Sequence, residues 1–211
     1  MDTQARYYYE PNKGHGLAHD PLNAIIGPRP IGWIASRNQD GKRNLAPYSF
    51  FNCFNYHPPI IGFASVGYKD SLANILTTGE FVWNLATRPL AEKMNLTSAA
   101  LAPDSDEFEF AGLTPVPGNL VGTDRVAESP VNFECKLSQS LQLQSASGDK
   151  IETWLVLGEV VAVHIDRQLL DADGTYLTAK AEPILRAGGP SAYYGISEAL
   201  RFDMQRPPAP K

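Results

Sequence analysis

From Val131 to Leu143 the chain alternates: Val131, Phe133, Cys135 and Leu137 stand against Asn132, Glu134, Lys136 and Ser138. A period of two puts successive side chains on opposite faces of an extended chain, so this pattern predicts a strand with an apolar and a polar side. "TWLVLGEVVAVHI", Thr153 to Ile165, predicts a longer strand in which Gly158 marks a bulge or bend. Ser147-Gly148-Asp149 supplies a turn between them, and the pair reads as a long antiparallel hairpin. Shorter strands are expected upstream. Ile31 to Ser36 returns through an Asp40-Gly41 turn to Lys42–Leu45. "IIGFASV", Ile60 to Val66, follows the stop signal His57-Pro58-Pro59, and "FVWNLA", Phe81 to Ala86, follows Gly79.

Two segments switch to helical spacing. "DSLANILTTGE" has Asp70 or Ser71 as the expected N-cap, Leu72, Ile75 and Leu76 on one face, and Gly79 as its stop. "RPLAEKMNLTSA" has Pro89 near its first turn and sets Leu90 and Met94 four apart. Neither helix alternates regularly with strands as a parallel sheet requires. The expected class is mainly β with small helices, an antiparallel barrel with helical excursions. One domain is expected over residues 1–211, with 1–20 as an N-terminal arm and 203–211 as an extended tail that includes the proline-rich "QRPPAPK".

Composition narrows the classes. The 17 glycines and 17 prolines spread along the 211 residues break the chain into many short segments, which suits a β-rich fold. Basic residues number 18 and acidic ones 23, for a formal charge of -5, with no basic run longer than "GKRN". That argues against nucleic acid, whose phosphates call for clustered Lys and Arg. The longest apolar run, "WLVLGEVVAV", is broken by Gly158 and Glu159 and falls short of the roughly 20 residues of a membrane helix. The N-terminal stretch lacks the apolar centre of a signal peptide, so a cytoplasmic location and no membrane partner are expected. Cys53 and Cys135 form no CxxC pair and read as two buried reduced thiols, with a disulfide between them left open.

Several chemistries are missing. "GHGLAH", Gly14 to His19, starts like a dinucleotide fingerprint, but His19 replaces the third glycine and no strand precedes it. His15 and His19 have metal-compatible spacing but lie among Gly14, Gly16 and Pro21, so no metal site is expected. GxxxxGK, GxSxG and HExxH motifs do not occur.

Three segments carry positive signals. "NLAPYSFFN" offers hydrogen-bonding groups at Asn44, Ser49 and Asn52, a small residue at Ala46, and aromatic surface at Phe50 and Phe51. "ASVGYKDSLAN", Ala64 to Asn74, joins a strand end to a helix start beside Lys69, which favours an anion; Asp70 works against one. "EPILRAGGPSAYYG" sets Arg186 before a glycine pair and two tyrosines. Taken singly, each also suits a purely structural role: a core loop, a capped helix, a tie for the C-terminus.

Together with "YEPNKGHGLAHDPLNAIIGPRPIGWIAS", "DGKRNLAPYSFFN", "PPIIGFAS", "KDSLANILTTGEFVWNLA" and "SPVNFECKL", these segments fall in order over most of residues 9 to 195. In that arrangement the chain resembles the flavin reductase-like family of FMN-binding split-barrel proteins, which includes flavoredoxins and the reductase components of two-component monooxygenases. Ala187 and the Asn55-Tyr56-His57 approach depart from the family pattern on the substrate side. The resemblance implies an FMN-binding split β-barrel of antiparallel Greek-key type. It places Trp33, Ile34, Ala35 and Ser36, with Asn44, Ala46, Pro47, Ser49, Phe50 and Phe51, along the flavin ring and ribityl chain. It brings Ser49, Ser65, Lys69 and Ser71 to the phosphate, joined by Arg29, with Arg186 bordering the site. It implies FMN, with FAD as the alternative, NAD(P)H as reductant, a homodimer, and a partner monooxygenase or another electron acceptor. Hydride transfer from nicotinamide to flavin asks the protein to position rings and tune electronics, so no catalytic acid, base or nucleophile is named. The leading expectation is an NAD(P)H-dependent flavin reductase. A flavoredoxin-like electron carrier and a non-enzymatic ligand-binding β-barrel are the alternatives.

Overall fold

The computed structural model describes residues 6–102 and 105–209. Its main sheet is built from β1 (Gly32–Arg37), β2 (Arg43–Tyr48), β3 (Phe51–Tyr56), β4 (Pro59–Val66), β5 (Glu80–Asn84), β8 (Val131–Gln144) and β9 (Lys150–Ile165). These run antiparallel in the order β2-β1-β5-β8-β9-β4-β3. The helices α1 (Leu22–Ile25), α2 (Asp70–Thr78), α3 (Ala91–Leu96) and α4 (Glu107–Phe110) lie in the connections. So do two short ribbons, β6 (Pro115–Val116) with β7 (Arg125–Val126), and β10 (Ile184–Arg186) with β11 (Tyr193–Gly195).

The sheet separates two apolar clusters. Trp33, Ala35 and Val82 turn toward Leu90, Met94 and Phe108. Ile34, Phe81 and Trp83 turn toward Phe63, Cys135 and Val156 on the other side. With both faces covered, β1 and β5 are near-continuous apolar runs. The sheet curls so that the Tyr48 ring of β2 meets the Phe63 ring of β4, centroids 4.5 Å apart. The long hairpin forms as expected, with Gly148 at φ 92 in its turn. At Gly158 an added Cβ would drive into the Phe81 ring, so the glycine is needed for close packing there. The register slips between Leu137 and Gln139, opposite that glycine.

Three expectations about the strands need correction. The polar side of β8 is not a solvent face at its start, because Asn132 and Glu134 are buried under β7 and the loop before it. β2 does not stop at Leu45. The Leu45 N–H points away from β1, to Glu107 Oε2 at 3.1 Å, and Pro47 two residues on points the same way. An edge strand tolerates a proline there because no ladder donor is lost. The segment after it is no loop either: Phe51–Tyr56 pairs with β4 as an outer strand.

In α2 the N-cap is Lys69, not Asp70 or Ser71, and no side chain caps the helix. Leu72 and Ile75 are buried while Leu76 is exposed, so its apolar face is narrower than expected. Gly79 ends the helix in the left-handed region, its N–H on Ile75 O at 2.9 Å. Both cysteines are free thiols, but only Cys135 is buried as expected; Cys53 is exposed because it lies on the outer strand β3. Among the described residues no helix is long and apolar enough to cross a membrane.

Candidate functional site

β4 ends at Val66, the chain turns at Gly67 with φ 87, and Lys69 begins α2. Ser65 Oγ closes that turn by donating to Gly67 O at 2.9 Å. Since no side chain caps α2, its first-turn N–H groups and the positive end of its dipole face outward beside Lys69. Facing them across a cleft of about 680 Å³ are Asn44, Ala46 and Pro47 on β2, and the small-residue stretch Thr97–Ala102 closes the far side. A cleft of that size, with small residues beside donors, suits a ligand with a flat part and an anionic end.

Asn44 organises the floor. Its Nδ2 donates to Ser71 Oγ at 2.7 Å and to Ser36 Oγ at 3.2 Å, and Asn74 Nδ2 also reaches Ser36 Oγ at 3.2 Å. Trp33 Nε1 donates to Thr97 Oγ1 at 3.0 Å, which fixes the start of the far wall. Burial pushes the Tyr48 phenol above its ordinary range, with hydrogen bonding to Ser71 and Ser65 acting the other way, so it stays neutral.

Charges in the cleft are unequal. Arg43 is neutralised by Asp106 at 2.7 Å and Asp124 at 3.7 Å. Glu107 is raised above the usual carboxylate range by burial, against the N–H of Leu45 and with Asp106 and Asp70 adding repulsion. Lys69 is exposed and forms no ion pair among the described residues, so its charge remains available to a ligand.

Five of the residues expected at a flavin, Asn44, Ala46, Pro47, Lys69 and Ser71, share this cleft. Ser36 lies one layer behind it. The side chains of Trp33, Ile34 and Ala35 are in the core, and Ser65 is buried on Gly67 O. Phe51 stacks on Trp83, planes 4° apart and centroids 5.6 Å. A second group gathers elsewhere. Arg29 Nε donates to Ser49 O at 3.1 Å and its guanidinium lies over the Phe50 ring at 5.6 Å. Arg29 and Arg186 are joined through their backbones, and burial and the neighbouring Arg186 charge lower the Arg29 pKa. The Arg186 guanidinium is occupied by the carbonyls of Gly189, Pro190 and Ala192. Asn74 ends a segment that the sequence singles out, whereas sequence reasoning missed Thr97–Ala102 and Glu107 as cleft residues. The only signal was the small-residue run "TSAALA", which a surface loop carries equally well.

The family model for the flavin reductase like domain matches residues 27–183. A protein of Aquifex aeolicus is 35% identical over 170 residues, covering 78% of this chain and 83% of the relative. Nitrilotriacetate monooxygenase component B from Bacillus cereus superposes with a TM-score of 0.81 at 27% identity, over 97% of both chains. Pseudomonas fluorescens 2-nitrobenzoate 2-nitroreductase gives 0.77 at 29% identity, over 89% of this chain and 91% of the other.

Proposed function

Since the chain belongs to the flavin reductase-like family of split-barrel proteins, we propose that its cleft binds FMN and that the protein reduces this flavin with NADH or NADPH. The observation that carries the reading is Lys69, without an ion pair among the described residues, at the start of α2, which no side chain caps, across from Asn44, Ala46 and Pro47. Lys69, Ser71 and the first-turn N–H groups would hold the phosphate. Ala46 and Pro47 are small enough for a ring to lie against β2, and Asn44 fixes Ser71 toward it. Ser49, with Arg29 and Phe50 beside it, would meet the far end of the ligand or its nicotinamide partner. FMN suits the cleft; FAD would need its second nucleotide to extend beyond it. Bound flavin supplies hydride and electron transfer, which the chain's own side chains cannot.

Reduced flavin, or its electrons, would pass to a partner monooxygenase or another acceptor. The neighbour from Bacillus cereus, whose name marks it as one component of a monooxygenase, supports that reading. A homodimer is part of the proposal. β3 is an outer strand with an open edge, and it exposes Phe54 and Tyr56. Such an apolar edge calls for a cover, and a second copy of the chain would supply it.

The test is the visible absorption spectrum of the protein loaded with FMN, before and after NADH and then NADPH. Loss of the flavin absorbance with either nucleotide is expected. A flavin held tightly but left oxidised by both would sink the reductase reading and favour electron transfer. No retention of FMN would sink the flavin reading altogether.

A further inference from the structure

A second cavity, of about 540 Å³, opens between the ends of β8 and β9 and the turns at 167–169 and 178–181, and it shares no lining residue with the cleft. Three basic residues line it: Arg125, His164 and Lys180. Lys180 Nζ is occupied, donating to Gln168 O at 2.7 Å. Arg125 is not. Its Nε is buried without a hydrogen-bond partner, and its guanidinium forms no ion pair among the described residues. The side chain as a whole is half-buried, but a guanidinium N–H shut off from solvent and left unpaired is unfavourable, and a folded chain seldom keeps one unless a ligand or a water meets it.

His164 lines the same cavity with one ring nitrogen committed. Its Nε2 lies 2.6 Å from Glu134 Oε1. Glu134 is fully buried and also accepts the N–H groups of Asn119 at 2.7 Å, Leu120 at 2.6 Å and Val121 at 3.1 Å. Burial alone would raise this carboxyl; the hydrogen bonds from Asn119, His164, Leu120 and Val121 outweigh it and hold it ionised. An ionised acceptor fixes the ring with Nε2–H toward Glu134. Nδ1 is left without a partner among the described residues.

We propose that this cavity binds a small molecule bearing a carboxylate, with the Arg125 guanidinium as its anchor and the His164 ring, which lines the same cavity, as a reporter of its presence. The planar fork of an arginine matches a carboxylate in two parallel hydrogen bonds. The charges around the cavity limit the ligand. Glu128, held by Thr114, Asp166, held by Gln168, and the exposed Glu182 all line it. Three carboxylates so placed favour a singly charged anion over a doubly charged phosphate. The site stands on residues outside the flavin cleft and does not depend on that reading.

The full chain is titrated with acetate, and separately with inorganic phosphate, at constant ionic strength made up with chloride. The histidine imidazole signals are followed by nuclear magnetic resonance, with His164 assigned from its absence in His164→Asn, and the melting temperature is recorded. Acetate should shift the His164 signal saturably and raise the melting temperature above that in chloride. Arg125→Met should weaken acetate binding about tenfold or more, as loss of a charge-assisted contact predicts. In chloride alone Arg125→Met should melt no lower than the parent, because the guanidinium has no ion-pair partner to lose among the described residues. An acetate response equal to that of chloride, or one retained in Arg125→Met, would overturn the site. A variant melting several degrees lower in chloride would give Arg125 a structural role instead. Tighter binding of phosphate than acetate would overturn the carboxylate assignment.

Discussion

Asn44 on β2 and Ser71 in the first turn of α2 are joined by a 2.7 Å hydrogen bond, with both side chains buried. The same nitrogen reaches Ser36, so one amide ties β1, β2 and α2 together under the cleft. Asn44→Ala takes the donor from Ser71 Oγ and one of two donors from Ser36 Oγ, which keeps Asn74 Nδ2, at a cost of about 1–3 kcal/mol. The variant should melt lower, and FMN should bind about tenfold more weakly because Ser71 is free to turn. Circular dichroism melts and flavin fluorescence titrations check the two effects. Unchanged affinity despite lowered stability would remove the tie from the binding argument.

Lys69 is expected to act on the phosphate alone. Lys69→Ala should weaken FMN binding about tenfold at low salt and by less at high salt, where an exposed charge is screened. Riboflavin, which lacks the phosphate, should bind the parent and the variant alike. Adding Ser49→Ala should weaken FMN further without unfolding the protein, since the Ser49 contact to Arg29 uses its backbone oxygen. A loss of riboflavin affinity equal to that of FMN would place Lys69 elsewhere on the ligand.

These residues were within reach of sequence reasoning because the elements that carry them obey local rules. β1, β4, β5, β8 and β9 show as apolar or alternating runs, and α2 has spacing and a glycine stop. β3 was hidden because "FNCFNY" is flanked by aromatic residues and a double proline, and it buries almost nothing from which a period could be read. Pro47 hid the end of β2, because only the sheet order reveals an outward-facing position. Within the candidate site, a residue's type was legible but its depth was not. Trp33 and Ile34 belong to the same stretch as Ser36, yet pleating sends their side chains into the two cores. The pairing of Glu134 with His164 joins residues 30 apart and depends on the hairpin register, which no local pattern encodes.

Glu107 should make stability depend on pH in a definite direction. Its pKa is raised in the folded protein, chiefly by burial, so the folded state holds this proton where the unfolded chain has released it. Its contribution is therefore most favourable at acid pH and is lost as pH rises from the ordinary carboxylate range through the higher folded value. Glu107→Gln removes that charge and keeps an oxygen for the Leu45 N–H. At pH 8 the variant should melt higher by up to about 2–4 °C, a gain of at most roughly 1 kcal/mol, and the gain should vanish near pH 4. A gain that is constant with pH would mean that the carboxylate charge is not the cause.

The outer strand offers the last prediction. Phe54 and Tyr56 on β3 are 54% and 77% exposed, on a strand whose far edge pairs with nothing among the described residues. If a second copy covers them, Phe54→Asp places a charge in that interface while leaving the monomer core intact, because the ring is mostly outside it. Losing an apolar anchor of this kind weakens association about 30-fold or more. Sedimentation should then show a dimer for the parent and mainly monomer for the variant at micromolar concentration. Cys53, exposed on the same strand, gives an independent signal. Its thiol should react slowly with a maleimide in the dimer and quickly in Phe54→Asp. Cys135 should stay silent in both, since burial pushes its thiol well above the ordinary range. Fast labelling of the parent together with a monomeric sedimentation profile would leave β3 without a second copy, and the dimer would have to be abandoned.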